Sequence, residues 1–298
     1  MSGTKARAST RARHGVVPLG LRPAIVLTLA SIAGLVAFFW PLFVAPPAGG
    51  AATGAPVIFL TILPVLVLVV TAELSSGGLD SRAVAVLGVL AAVGAALRPL
   101  GAGTAGLEPV FFLLVLAGWV FGAGFGFLLG AVTLFTSALL TAGVGPWLPY
   151  QMIAAAWVGL GAGLLPGRRR LRGRAEILLL CAYGAVAAQI YGFLLNMSGW
   201  PWGVLGTGTG LSYLPGAGPL ENLHRFVVFT LATSTWGFDL GRMLTNVALI
   251  ALTGPAVIAA LRRAARKARF DVAPLPAFAP AVLRPPPEPP GATPALSR

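Results

Sequence analysis

The chain is nearly devoid of cysteine, histidine and acidic side chains. Cys181 is its one cysteine and lies inside an apolar run. It has no partner for an internal disulfide, and a site of several thiolates is excluded. His14 and His224 are the only histidines and fall in stretches expected on opposite sides of a membrane, so they share no metal. Eight Asp and Glu face 21 Lys and Arg, and all charged residues together make up only 10% of the chain. A soluble monomer carries about a quarter charged residues, so composition speaks against one. No Gly-Lys-Ser/Thr follows the glycine-rich stretch Gly206–Gly210, which is therefore no phosphate cradle. Ser212 and His224 both lie outside the apolar runs, which disfavours an intramembrane serine protease. Composition and motifs lead us to expect no catalytic set, no cofactor and no metal.

Hydrophobic residues make up 57% of the chain, in long runs between basic segments. Five basic residues lie in the first 22 positions, Arg82 opens a later run, five arginines lie in Gly167–Arg174 and seven basic residues follow Leu261. Short loops rich in Lys and Arg stay on the cytoplasmic side. These segments flank apolar spans and form no patch on a polar domain, so nucleic acid is not an expected partner. The lipid bilayer is. Apolar spans are read at 23–44, 56–73, 82–98, 109–140, 147–165, 175–197 and 237–261. Pro23–Val44 has no clean cleavage site after it and is read as a retained helix.

The run from Pro109 to Leu140 has 32 residues. As one helix it would be about 48 Å long against a hydrocarbon core of about 30 Å. Gly118, Gly122, Gly124 and Gly126 crowd its middle, and a break near Phe121–Gly124 makes two helices. With that break every basic segment falls on one face and both termini are cytoplasmic. The expected fold is an all-α integral membrane bundle of about eight transmembrane helices. Residues 1–22 form a basic tail, 23–81 two N-terminal helices, 82–270 a six-helix core and 271–298 a Pro-rich tail without apolar periodicity. Ser198–Trp236 is read as a long outer loop that dips into the membrane, with Phe226–Ala232 too brief to cross.

Ionisable residues inside a bilayer are expensive and point to function. Asp239 and Arg242 form the one such pair read in the spans, and spacings of three and seven put them on one helical face with Asn246. Gln189 and Asn196 share a face of the preceding span. Trp147, Tyr150 and Gln151 open the 147–165 span, and Trp200 belongs to the aromatic stretch after Asn196. These positions coincide in depth, as a pocket for a small, partly flat organic ligand requires; structural hydrogen bonds and an interfacial aromatic belt are the alternative. Ser81, Ala85, Gly88, Ala92 and Ala96 form a small-residue stripe that suits close helix packing, inside the protein or against a partner.

The stretch Arg82–Pro166 runs from a small-residue helix ending Leu97–Arg98–Pro99–Leu100 through Gly143–Val144–Gly145–Pro146–Trp147–Leu148–Pro149–Tyr150–Gln151–Met152 to Ala156–Pro166. It resembles the substrate-binding S components of energy-coupling factor (ECF) vitamin transporters, particularly actinobacterial ones. Gly237–Phe238–Asp239–Leu240–Gly241–Arg242 and the basic Leu261–Arg269 fit the same group, so the resemblance covers roughly Arg82–Arg269. It implies a six-helix core, matching spans three to eight, with helices 23–44 and 56–73 as an addition. It also implies that two cytoplasmic ATPases and an ECF transmembrane coupling protein drive uptake, with Ala85, Gly88 and Ala92 docking on that protein. The ligand implied is a vitamin-like small molecule: corrinoid, riboflavin-like, biotin-like or thiamine-like. An integral-membrane enzyme and an envelope scaffold are the competing readings.

Overall fold

The computed structural model describes residues 21–44, 64–65, 67–68, 70–72, 81–101, 106–168, 170–202 and 210–267. The basic N-terminal tail, most of the 56–73 span, the glycine-rich stretch from residue 206 and the Pro-rich tail lie outside these residues. Every regular element among the described residues is helical. The α-helices are α1 (Leu21–Phe38), α2 (Ser81–Leu97), α3 (Val110–Phe121), α4 (Ala123–Leu140), α5 (Leu148–Leu164), α6 (Arg174–Gly199), α7 (Pro219–Thr230) and α8 (Leu240–Lys267). Short 3-10 turns follow α1, α2 and α6, and a π-helix, Leu231–Asp239, joins α7 to α8. Five helical stretches are long and apolar enough to cross a membrane, and two shorter helices, α3 and α5, are equally apolar. The protein is a multi-pass membrane bundle.

The long apolar run divides as its glycines predict. Gly122 separates α3 from α4 with φ of +108°, a backbone conformation that L side chains rarely adopt. The chain reverses there: a Cβ on Gly126 would lie 3.0 Å from Cα of Gly118, positions that a continuous helix would hold about 12 Å apart. Gly159 of α5 completes the junction. Its carbonyl oxygen would sit 2.1 Å from a Cβ on Gly118 and 2.2 Å from one on Gly126. Backbones of α3, α4 and α5 thus touch, as small residues permit in membranes.

α3 is the hub. Ten of its twelve residues are buried, and an apolar helix without a polar face belongs inside a bundle. At about 18 Å it is too short to span the hydrocarbon core alone, and its neighbours α4, α5, α6 and α8 shield it. α1 rests on this core. Trp157 Nε1 donates to Ser31 Oγ at 3.0 Å, Trp40 Nε1 donates to the Ser198 carbonyl at 3.0 Å, and the Phe38 and Tyr150 rings meet edge-on at 5.2 Å. Val67 and Val70, from the second N-terminal span, are buried in the same core.

The outer-loop reading of Ser198–Trp236 requires correction. From Pro219 the chain is helical and continues without interruption through the π-helix into α8. Asn222, Phe226, Thr230 and Ser234 are all buried at four-residue steps. Three of those four residues are polar, so this inward stripe has no hydrophobic signature. Asn222 also ties the preceding turn to the helix: its Oδ1 accepts from the Leu214 N–H at 3.0 Å and its Nδ2 donates to the Leu214 carbonyl at 3.1 Å.

Candidate functional site

Around one end of α3 the bundle gathers its polar groups. Arg242, at the start of α8, is 7% exposed and bonds two carboxylates. Its Nη1 donates to Asp239 Oδ1 at 2.7 Å and its Nε to Glu108 Oε2 at 2.5 Å. The guanidinium lies 4.9 Å from the Tyr191 ring centroid and 5.7 Å from that of Phe111, within cation–π range. A buried charge needs a partner and hydrogen bonds to offset desolvation. Arg242 has both.

The π-helix explains how Asp239 reaches its second partner. Ser234 Oγ donates to Asp239 Oδ2 at 2.8 Å across five residues. In an α-helix, neighbours on a face are three or four residues apart; the wider π turn brings the fifth into line. Gly192 of α6 leaves the space, since a Cβ there would sit 1.8 Å from Asp239 Oδ1. Beside Asp239 a groove of about 280 Å³ runs between α6 and the α7–π segment, lined by Gln189, Ile190, Phe193, Thr230, Leu231 and Thr235 among others. Thr230 Oγ1 is buried and has no hydrogen-bond partner among the described residues.

The other expected site residues distribute unevenly. Gln189 lines the groove with Asp239. Asn246 is 1% exposed, one turn beyond Arg242, with its Oδ1 unpartnered among the described residues. Asn196 Nδ2 is likewise buried and unpartnered, and so is the Tyr150 hydroxyl. Trp200 lies in a separate aromatic cluster with Tyr213, Phe226 and Phe229, its Nε1 donating to the Leu211 carbonyl at 3.0 Å. Burial against that cluster raises the pKa of the Tyr213 phenol. Gln151 accepts from Arg98 Nη2 at 2.8 Å. Trp147 stands apart, 54% exposed, donating to the carbonyl of Gly143 in its own turn.

Two elements of this chemistry escaped the sequence reading. Glu108 is one of eight acidic residues and directly precedes Pro109, which made it look like loop. A second buried ion pair joins Glu176 to Arg262, with Trp119 Nε1 also donating to Glu176. Asp239–Arg242 is therefore not the one intramembrane pair. Arg242 and Arg262 are twenty residues apart on α8, or about 30 Å, the thickness of the hydrocarbon core. The two ion pairs thus lie near opposite ends of α8.

Residues 82–212 match the family described as ECF transporter, substrate-specific component. Over this stretch the chain is similar to the substrate-specific component of an ECF transporter. Neither a curated protein nor a solved structure matches it. An ECF substrate-specific component is a membrane-embedded binding subunit of an importer, a transport part rather than an enzyme, and works with an ECF module. The matched stretch includes α2 to α6 and thus Gln189, while Asp239 and Arg242 lie beyond it on the helix that packs against α6.

Proposed function

We propose that the groove between α6 and the π-helix captures a vitamin-like small molecule, which enters from the outer face at the Arg242 end. The Gly167–Arg174 loop and the basic end of α8 are cytoplasmic in this reading, as are both termini. The observation that carries it is the pairing of an apolar groove with Gln189 on its α6 wall and Thr230, Thr235 and Asp239 on the facing wall, next to a fixed charge network. Few polar groups in a largely apolar cleft are what a small-molecule site requires. Its volume of about 280 Å³ lies near the lower end of common ligand pockets, roughly 300–1,000 Å³. That favours a ligand of one or two rings over a corrinoid. Of the other expected contacts, Asn196, Asn246, Tyr150, Gln151, Trp200 and Trp147 do not line this groove.

Two cytoplasmic ATPases acting through a transmembrane coupling protein supply the energy in this reading. Ala85, Gly88 and Ala92 support it: all three are exposed, and a Cβ on Gly88 would meet nothing within 4 Å. The opposite face, with Ala91, Gly94 and Ala95, is the one buried in the bundle. The face formed by Ala85, Gly88 and Ala92 is thus open to a partner helix.

Thermal melting of the purified protein against a panel of thiamine-, biotin-, riboflavin- and corrinoid-type compounds tests the ligand. One compound is expected to raise Tm, with the gain lost in Gln189→Leu and the unliganded Tm unchanged. No response to any compound would overturn the groove assignment. Co-purification of an ATPase pair, lost in Gly88→Leu, tests the docking face separately.

A further inference from the structure

At the Arg262 end a second and larger cavity, of about 690 Å³, opens between the first turns of α6 and the last turns of α8. Its floor is aliphatic, with Ile177, Leu178, Pro255 and Ile258, and its rim carries Arg174, Arg262, Arg263 and Arg266. Glu176 neutralises Arg262 through two hydrogen bonds. Arg174, Arg263 and Arg266 are exposed and have no anion among the described residues. From Ala251, the deepest lining residue on α8, to Arg262 is eleven residues, a rise of about 16 Å. One leaflet of hydrocarbon is about 15 Å deep.

We infer that this groove is a binding site for an anionic phospholipid. The headgroup phosphate lies among Arg174, Arg263 and Arg266, and an acyl chain follows α8 past Ile258 and Pro255 towards Ala251. Three observations meet here. The aliphatic floor is as long as one leaflet is deep. The charge is concentrated at one end, where the headgroup layer lies, and four arginines against the one carboxylate of Glu176 leave it net positive. Leu178, on the groove wall, is 69% exposed, so the site opens sideways where lipid is the surrounding phase. Basic pockets between helices at such boundaries recruit anionic headgroups. A free phosphate would use the rim but leave the apolar length empty. The site is independent of the Gln189 groove, so it does not rest on the transport reading.

Native mass spectrometry of the full chain in detergent, with added dioleoylphosphatidylglycerol or dioleoylphosphatidylcholine, tests the inference. The anionic lipid is expected to bind at least tenfold tighter. The double variant Arg263→Gln/Arg266→Gln is expected to lose about fivefold per arginine. Ala259→Trp, which fills the groove and leaves every arginine in place, is expected to weaken both lipids and to melt within a few degrees of the parent chain. Equal binding of the two lipids, or a preference that neither variant changes, would overturn the site. So would full displacement of the lipid by millimolar inorganic phosphate. In native membranes a photo-crosslinking side chain at position 178 is expected to yield lipid adducts; adducts with protein alone would assign the groove to a partner and overturn the inference.

Discussion

Arg242 holds two carboxylates, and the cost of removing it differs from that of removing either one. Replacing Arg242 by Leu leaves Asp239 buried and Glu108 half-buried without a counter-charge, which costs about 3–5 kcal/mol. Melting in detergent is expected to show a large fall in Tm, and the double variant Arg242→Leu/Asp239→Leu is expected to recover part of it. Ser234→Ala removes one hydrogen bond and is expected to cost about 1 kcal/mol. Asp239 and Arg242 were legible in the sequence because three-residue spacing inside an apolar span is visible in the text. Their third partner was not, since Glu108 is distant in the chain and only the packing of α3 against α8 brings it to Arg242.

At the scale of elements, two irregularities organise the bundle. The break at Gly122 was readable, because a run of that length cannot be one helix and the glycines mark its middle. The π-helix was not, since no residue type announces a change in turn width, and the polar stripe from Asn222 to Ser234 hid the helix leading into it. Deleting Trp236, an exposed residue between Ser234 and Asp239, gives that pair the four-residue spacing of an α turn and is expected to abolish ligand-induced stabilisation while far-UV circular dichroism stays unchanged. At the glycine junction no room exists for side chains: Gly159→Val is expected to cost several kcal/mol through backbone displacement. Gly88→Leu, on the open face of α2, is expected to change stability by no more than about 0.5 kcal/mol. Melting the two variants side by side checks both numbers.

For the whole molecule, the fold class followed from composition and from the positions of the basic residues, and the bundle agrees with it. Two arginines near opposite ends of α8 each hold an ion pair. Their separation was present in the sequence, but Arg262 read as one more member of a basic tail until its pairing with Glu176 was seen. Orientation has a direct check, because Cys181 is the only thiol to remove. In a Cys181→Ser background, Ala217→Cys is expected to react with an impermeant maleimide from outside intact cells. Arg172→Cys is expected to react only after permeabilisation. The reverse pattern would invert the orientation, and with it the side from which the ligand enters.

The short hub helix also has a bearing on biogenesis. A nascent α3 has about 18 Å of apolar helix and cannot be stably integrated by itself, so it must wait for α4 and enter the bilayer as a hairpin. Even then its backbone remains without the contact from Gly159 until α5 has left the ribosome. Integration of the centre of this protein is therefore a three-helix event, committed only once α5, which ends at Leu164, has left the ribosome. Chains halted before that point are expected to expose α3 to lipid and quality-control proteases, and chains halted after it to resist them.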